Sequence, residues 1–234
     1  MSPKPVGTSP KPVDTSPLSV RISLPARLKI ECGNRIVGRF NFAMKRLAIF
    51  DINGFLCQKV PKDYEGPVDL ELQSYKVILR PGCGEFLSQC YERFTIGFFS
   101  STTYKNAGPI LQELLTQEQD KATLFKWFRD RTSLDLDWMR EISSDPSWQL
   151  DLFVGMKLEK HSTVKRLSSV LETPFLNDDR IYSLKNTLIC DDSAEKLRFN
   201  PKANCLVVEP FTGERDDTVL STLVDEIDRR FSQL

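Results

Sequence analysis

Histidine is almost missing from this chain. Its single example, His161, lies in a charged stretch and reads as a surface residue rather than a catalytic base. The six cysteines (Cys32, Cys57, Cys83, Cys90, Cys190 and Cys205) form no CxxC pair and show no metal-type spacing. None has an arginine six positions on, which excludes the Cys-x5-Arg loop of a cysteine phosphatase. No signal-peptide pattern is present, so reduced thiols in an intracellular protein are expected. Long apolar runs are missing too. The longest uncharged stretch of the body, Phe94 to Tyr104, ends at Lys105, short of the ~18 residues that a membrane span needs. Net charge is absent as well, since 32 Lys and Arg balance 32 Asp and Glu.

That balance is uneven along the chain. Residues 1–46 hold nine basic residues against Asp14 and Glu31, so the remainder is acidic. A basic arm ahead of an acidic body argues against a nucleic-acid platform. The arm reads SPKPVGT, SPKPVDT, SP, a repeated seven-residue unit with five prolines in the first 17 residues. Such a segment has no apolar face to bury, so residues 1–45 are expected to be disordered or locally polyproline II. Its Ser-Pro steps suit proline-directed kinases, or the arm is simply a solvated tail. Residues 18–46, Arg-rich and acid-poor, faintly suggest a mitochondrial transit peptide, which the preceding prolines oppose.

From Leu47 onward, short apolar runs alternate with helical periodicity. Strands are expected at Leu47–Phe50, Lys76–Leu79, Phe94–Phe99, Thr187–Cys190 and Cys205–Val208. Helices are expected at Cys83–Glu92, Thr103–Thr116, Thr163–Leu171 and Asp217–Phe231. Buried runs such as TLIC, each followed by a helix, indicate parallel strands with crossover connections, hence an open α/β sheet. Residues 117–162 break the rhythm, with Trp127, Trp138 and Trp148 among many charges. They are expected to be an insertion over one end of the sheet, inside a domain covering 46–234, with the tryptophans serving as packing.

Ligands of such a sheet lie beyond the carboxyl ends of its strands. LAIFDINGFLC ends its strand in Asp51, with Asn53 two positions on. FTIGFFSSTT ends in Ser100 and Ser101, and NTLICDDS in Asp191 and Asp192. Lys165 is placed on the helix leading towards that last strand. Singly, each has a plain reading: an aspartate after a strand caps a helix or makes a turn, and an isolated lysine is solvated. Their order at successive strand ends favours a phosphoryl ligand. A carboxylate beside Mg²⁺ can attack phosphorus, further carboxylates provide hard oxygen ligands, and a hydroxyl and a lysine hold the phosphoryl oxygens. Cys57 and Cys190 adjoin these ends but sit on apolar runs and read as core.

DINGFL resembles the DxDG(T/V) motif of the haloacid dehalogenase superfamily, most closely the RNA polymerase II C-terminal-domain phosphatases and their small, NLI-interacting factor-like relatives. VILRPGCGEFLSQCYERFTIGFFSSTTYKNA is similar to that branch's Arg-Pro-Gly, Glu-Phe-Leu and Phe-Thr-Ala-Ser stretch. VKRLSSV resembles its Lys-Asp-Leu motif, and NTLICDDSAEKLRFNPKANCLVV its Asp-Asp-Ser-Pro motif with a following Asn-Pro. The likeness runs over roughly 45–230. It implies a mainly parallel, Rossmann-like sheet with a small insertion, of which WFRDRT is the start. It also implies Mg²⁺ as cofactor, an aspartyl-phosphate mechanism and a phosphoserine- or phosphothreonine-containing protein or peptide as substrate.

On that likeness Asp51 would be the nucleophile and a metal ligand, Asn53 a ligand through its backbone carbonyl, and Asp191 and Asp192 the rest of the metal site. Ser100, with Ser101 beside it, and Lys165 would hold phosphate. Two residues depart from the pattern. Asn53 replaces the aspartate that protonates the leaving oxygen and later activates water, and Phe55 replaces the usual Thr or Val. An amide carries no proton to an alkoxide, and general acid–base catalysis is worth about 10²–10⁴-fold. A weakened phosphatase or a phosphopeptide-binding pseudoenzyme follows. A third expectation comes from the mitochondrial inner-membrane presequence translocase, whose receptor subunit uses a degenerate copy of this domain for binding. The nucleus or cytoplasm is the expected location, with the mitochondrion as the alternative.

Overall fold

A computed structural model describes residues 45–134, 163–177 and 180–234 of the chain. The expected disordered arm, most of the expected insertion, His161, Trp138 and Trp148 lie outside the described residues. Among the described residues no helix is long and apolar enough to cross a membrane.

Five strands make a parallel sheet: β1 (Leu47–Phe50), β5 (Thr95–Phe99), β6 (Phe125–Trp127), β9 (Thr187–Asp191) and β10 (Cys205–Val207), in the order β10-β9-β1-β5-β6. Its central strand is LAIF, buried at every position, as a strand covered on both faces must be. Alternation splits its side chains. Ala48 and Phe50 join the larger core with α1 (Cys83–Arg93), α2 (Tyr104–Leu114) and α6 (Val219–Phe231). Leu47 and Ile49 face the second core with α4 (Leu167–Leu171). Leu47, Ile49 and Phe50 each contribute about 1.5–3 kcal/mol by leaving water. In α1 the buried Cys83, Phe86, Leu87 and Cys90 recur at helical spacing, as do Leu220, Leu223, Val224, Ile227 and Phe231 in α6, one apolar stripe per helix.

Three expectations are corrected. Lys76–Leu79 is a strand (β4), but it pairs antiparallel with β2 (Cys57–Val60) and β3 (Leu70–Glu71) in a separate small sheet. Its burial is only partial, as suits a sheet with one wet face. Secondly, the segment from 117 does not leave the sheet. It forms α3 (Gln117–Ala122) and then edge strand β6, whose Trp127 packs edge-on against Phe99 at 5.4 Å. The charges that made it look inserted lie on α3 and on the half-buried Lys126 between two buried aromatics. A short ladder of β7 (Ser133–Leu134) with β8 (Thr163–Val164) flanks residues 135–162. Thirdly, the helix expected over Thr163–Leu171 starts only at Leu167, because β8 takes its first two residues. Lys165 therefore stands in the connector rather than on the helix.

Registers place Phe50 level with Phe98 of β5 and with Cys190 of β9. Asp51 and Asp191 come next after this level and Ser100 one residue further, so the three stand at one rim of neighbouring strands.

Candidate active site

Asp51 closes the β1–β9 ladder, its N–H donating to Cys190 O at 3.0 Å, and it is buried. Lys165 Nζ lies 3.0 Å from Asp51 Oδ1 and donates to Asp191 Oδ2 at 2.5 Å. The connector is held firmly. Lys165 N–H donates to Lys196 O at 2.8 Å, and Asn200 Nδ2 donates to Lys165 O at 2.7 Å while its Oδ1 accepts Leu167 N–H at 2.7 Å. The other oxygen of Asp191 accepts Ser193 N–H at 2.9 Å. The turn role expected of a strand-end aspartate is thus real, and it occupies one oxygen only.

A second lysine joins the cluster. Lys196, on α5 (Ala194–Leu197), has its Nζ 3.6 Å from Asp51 Oδ2 and 3.9 Å from an oxygen of both Asp191 and Asp192. Burial by itself would raise Asp51, but Lys165, Lys196 and the Ile52 N–H outweigh it and hold the carboxyl below its ordinary range. Burial, with Asp51 adding to it, pushes Asp191 up to about 7 despite both lysines. The two therefore share the burden of buried charge, with Asp51 the more readily ionised of the pair. Burial works against the ammonium of Lys196, yet the three carboxylates raise its pKa.

Asp51, Asp191 and Asp192 each offer an oxygen, and the three lie within 4.8 Å of one another. Asp192 Oδ1 is buried without a hydrogen bond, and so is Asp51 Oδ1, whose contact with Lys165 is charge without alignment. Gly54 makes this crowding feasible. At φ 89° it carries the chain over Asp192, and a Cβ there would stand 2.2 Å from Asp192 Oδ2. Unpartnered hard oxygens packed against a bare backbone fit a Mg²⁺ ion.

Ser100 is buried, and its Oγ accepts Thr102 N–H at 3.2 Å, leaving its own proton free to donate. The Oγ of Ser101 is buried without a partner. Arg129 ties this loop down through Ser101 O at 2.8 Å and Thr102 O at 3.0 Å.

Both departures at the motif are now placed. Phe55 is fully buried, stacked on Phe50 at 5.7 Å and edge-on to Phe86 at 6.2 Å. It is a core residue and leaves the site's chemistry untouched. Asn53 is half-buried, and its Oδ1 accepts the N–H of Lys59 on β2 at 2.9 Å. Cys57 and Cys190 are core, as expected, and burial raises both thiols well above the ordinary range.

Sequence reading missed Lys196, Asn200 and the steric role of Gly54. For Lys196 a signal was available: it stands four residues after Asp192, on the helix that follows it.

Residues 46–233 match the NLI interacting factor-like phosphatases. The chain belongs to that family. Another protein it resembles is an uncharacterized FCP1 homology domain-containing protein of Schizosaccharomyces pombe, 28% identical over 187 residues, 75% of this chain and 65% of the relative. Two solved structures of Fcp1, an RNA polymerase II CTD phosphatase, are also similar, the first of them from fission yeast. One is a variant bound to beryllium fluoride, at TM-score 0.46 and 13% identity, covering 81% of this chain and 50% of that one. The other has TM-score 0.46 and 15% identity, covering 82% and 49%. The NLI interacting factor-like chain thus spans under two thirds of that relative and about half of the Fcp1 chains.

Proposed function

We propose that this domain hydrolyses phosphoserine or phosphothreonine in protein substrates with Mg²⁺, through an aspartyl phosphate on Asp51, and that Asn53 makes it slow. The observation that carries the reading is the buried, ionised Asp51 at the strand rim, with Lys165 at 3.0 Å and an unpartnered oxygen of Asp192 in the same cluster. Asp51 and Asp192, with Asp191 and the Asn53 carbonyl, would hold the ion, and when bound it would neutralise phosphoryl charge.

An Asp51 oxygen attacks phosphorus and the bond from phosphorus to the seryl oxygen breaks. Lys165, with Ser100 and Ser101, balances and orients the equatorial oxygens. The leaving alkoxide takes its proton from solvent, because the Asn53 amide has none to give. Water then attacks the aspartyl phosphate, releasing inorganic phosphate and restoring Asp51. Loss of the acid withholds about 3–5 kcal/mol of barrier lowering. Aryl phosphates, with better leaving groups, lose less.

Turnover of p-nitrophenyl phosphate with Mg²⁺ tests the reading. Slow hydrolysis by the wild type, abolished in Asp51→Asn, supports it; equal rates in both proteins would overturn it. One observation favours a second reading, phosphopeptide binding without turnover. The Asn53 oxygen is already engaged by Lys59 N–H, a structural use that needs no acid. Phosphopeptide binding by a wild type that shows no turnover would select it.

A further inference from the structure

Lys196 is a buried charge that the reaction above leaves unused. Its residue is 8% exposed, and its ammonium faces Asp51, Asp191 and Asp192 together at 3.6, 3.9 and 3.9 Å. Lys165 lies to one side, nearer to Asp51 and Asp191 and hydrogen-bonded to the latter. The Lys196 distances are too long for hydrogen bonds. The group is held by charge alone, at the focus of the three carboxylates whose oxygens lie within 4.8 Å of one another. Its helix begins two residues after Asp192, so the segment that delivers that ligand also delivers the lysine.

We propose that Lys196 is a tethered cation that occupies the acidic focus when no metal is bound and competes with Mg²⁺ for it. The inference rests on the Mg²⁺-dependent reading above. Three carboxylates in a dry site repel one another, and any cation at their focus relieves the strain. An ammonium carries one charge and three donors, so it satisfies the cluster partially, while a divalent ion satisfies it better. The four-carbon stem lets the ammonium withdraw as the ion enters. Loading with Mg²⁺ therefore includes displacing Lys196, and the affinity observed is lowered by that competition.

Isothermal titration of Mg²⁺ into the full chain tests this, with Lys196→Gln and Lys196→Arg beside the wild type. Lys196→Gln should bind Mg²⁺ about tenfold more tightly or better, because the competing charge is gone. Lys196→Arg, which keeps the charge, should stay near wild type. In EDTA the Tm of Lys196→Gln should fall below that of wild type, and Mg²⁺ should raise it by more. Unchanged or weaker Mg²⁺ binding in Lys196→Gln, or an equal gain in Lys196→Arg, overturns the competition while leaving the Mg²⁺ reading intact. No Mg²⁺ binding by any of the three proteins overturns both.

Discussion

At the scale of single residues, Asn53 and Gly54 are neighbours with opposite consequences. On the proposed mechanism, position 53 sets the rate. An aspartate there could accept Lys59 N–H through one oxygen, as Asn53 does, and use the other as the acid. Asn53→Asp should therefore raise p-nitrophenyl phosphate turnover by about tenfold or more, measured as kcat with Mg²⁺ saturating. Position 54 sets the geometry. Gly54→Ala would meet both a backbone at φ 89° and Asp192 Oδ2 at 2.2 Å. The left-handed conformation alone costs about 1–2 kcal/mol, and the carboxylate must move away. Calorimetry should then show Mg²⁺ affinity at least about tenfold lower. Unchanged affinity would show that the loop yields and the ligand stays.

The elements behind the site are held by buried polar groups. Arg80 leaves the end of β4 fully buried. It donates to Asp217 Oδ1 and Oδ2 at 2.9 and 2.8 Å, to Phe55 O at 3.2 Å and to Glu209 O at 3.0 Å. It thereby ties the small sheet and the Asp51–Phe55 turn to the start of α6. Asp217→Asn would leave a buried guanidinium without a counter-charge, at about 3 kcal/mol of stability by urea unfolding. The pH dependence has a definite sign. Hydrogen bonds from Arg80 foremost hold the Asp217 pKa below its ordinary 3.8. Its stabilisation is therefore complete above 3.8 and lost as pH falls through the lower native value. Acid titrations of wild type and Asp217→Asn should converge as the pH falls through that lower native value.

For the whole molecule, the proposed Mg²⁺ site predicts a stability that depends on cations. Without metal, burial foremost raises Asp191 from 3.8 to about 7. A carboxyl raised in the native state stabilises fully below 3.8 and loses that contribution as pH climbs through about 7. Mg²⁺ needs the carboxylates ionised, so the Tm gain it causes should be larger at about pH 8 than at about pH 5.5. At a hundredfold excess over Kd, binding adds about 2.7 kcal/mol, several degrees in a body of this size. Calorimetric scans with MgCl₂ against NaCl of equal ionic strength check it. Equal shifts in the two salts would count against a specific site.

Periodicity and local chemistry are written in the chain itself. LAIF and TLICD are apolar runs capped by acids, so they read as buried parallel strands that deliver Asp51, Asp191 and Asp192 to one rim. The amide at 53 was legible only as a departure from the motif that the chain resembles. Tertiary structure alone decided what meets across the chain. β6 hid behind its charges because an edge strand needs only alternate residues buried. Phe55 departs from the motif, and tertiary structure turns it inward to stack on Phe50. Lys196 is an ordinary charge on a short helix in sequence, and becomes part of the site only when β1 and β9 pair and bring Asp51 beside Asp191. Such contacts follow from which strands lie next to each other, a choice made by the burial of the entire core and by no local stretch of residues.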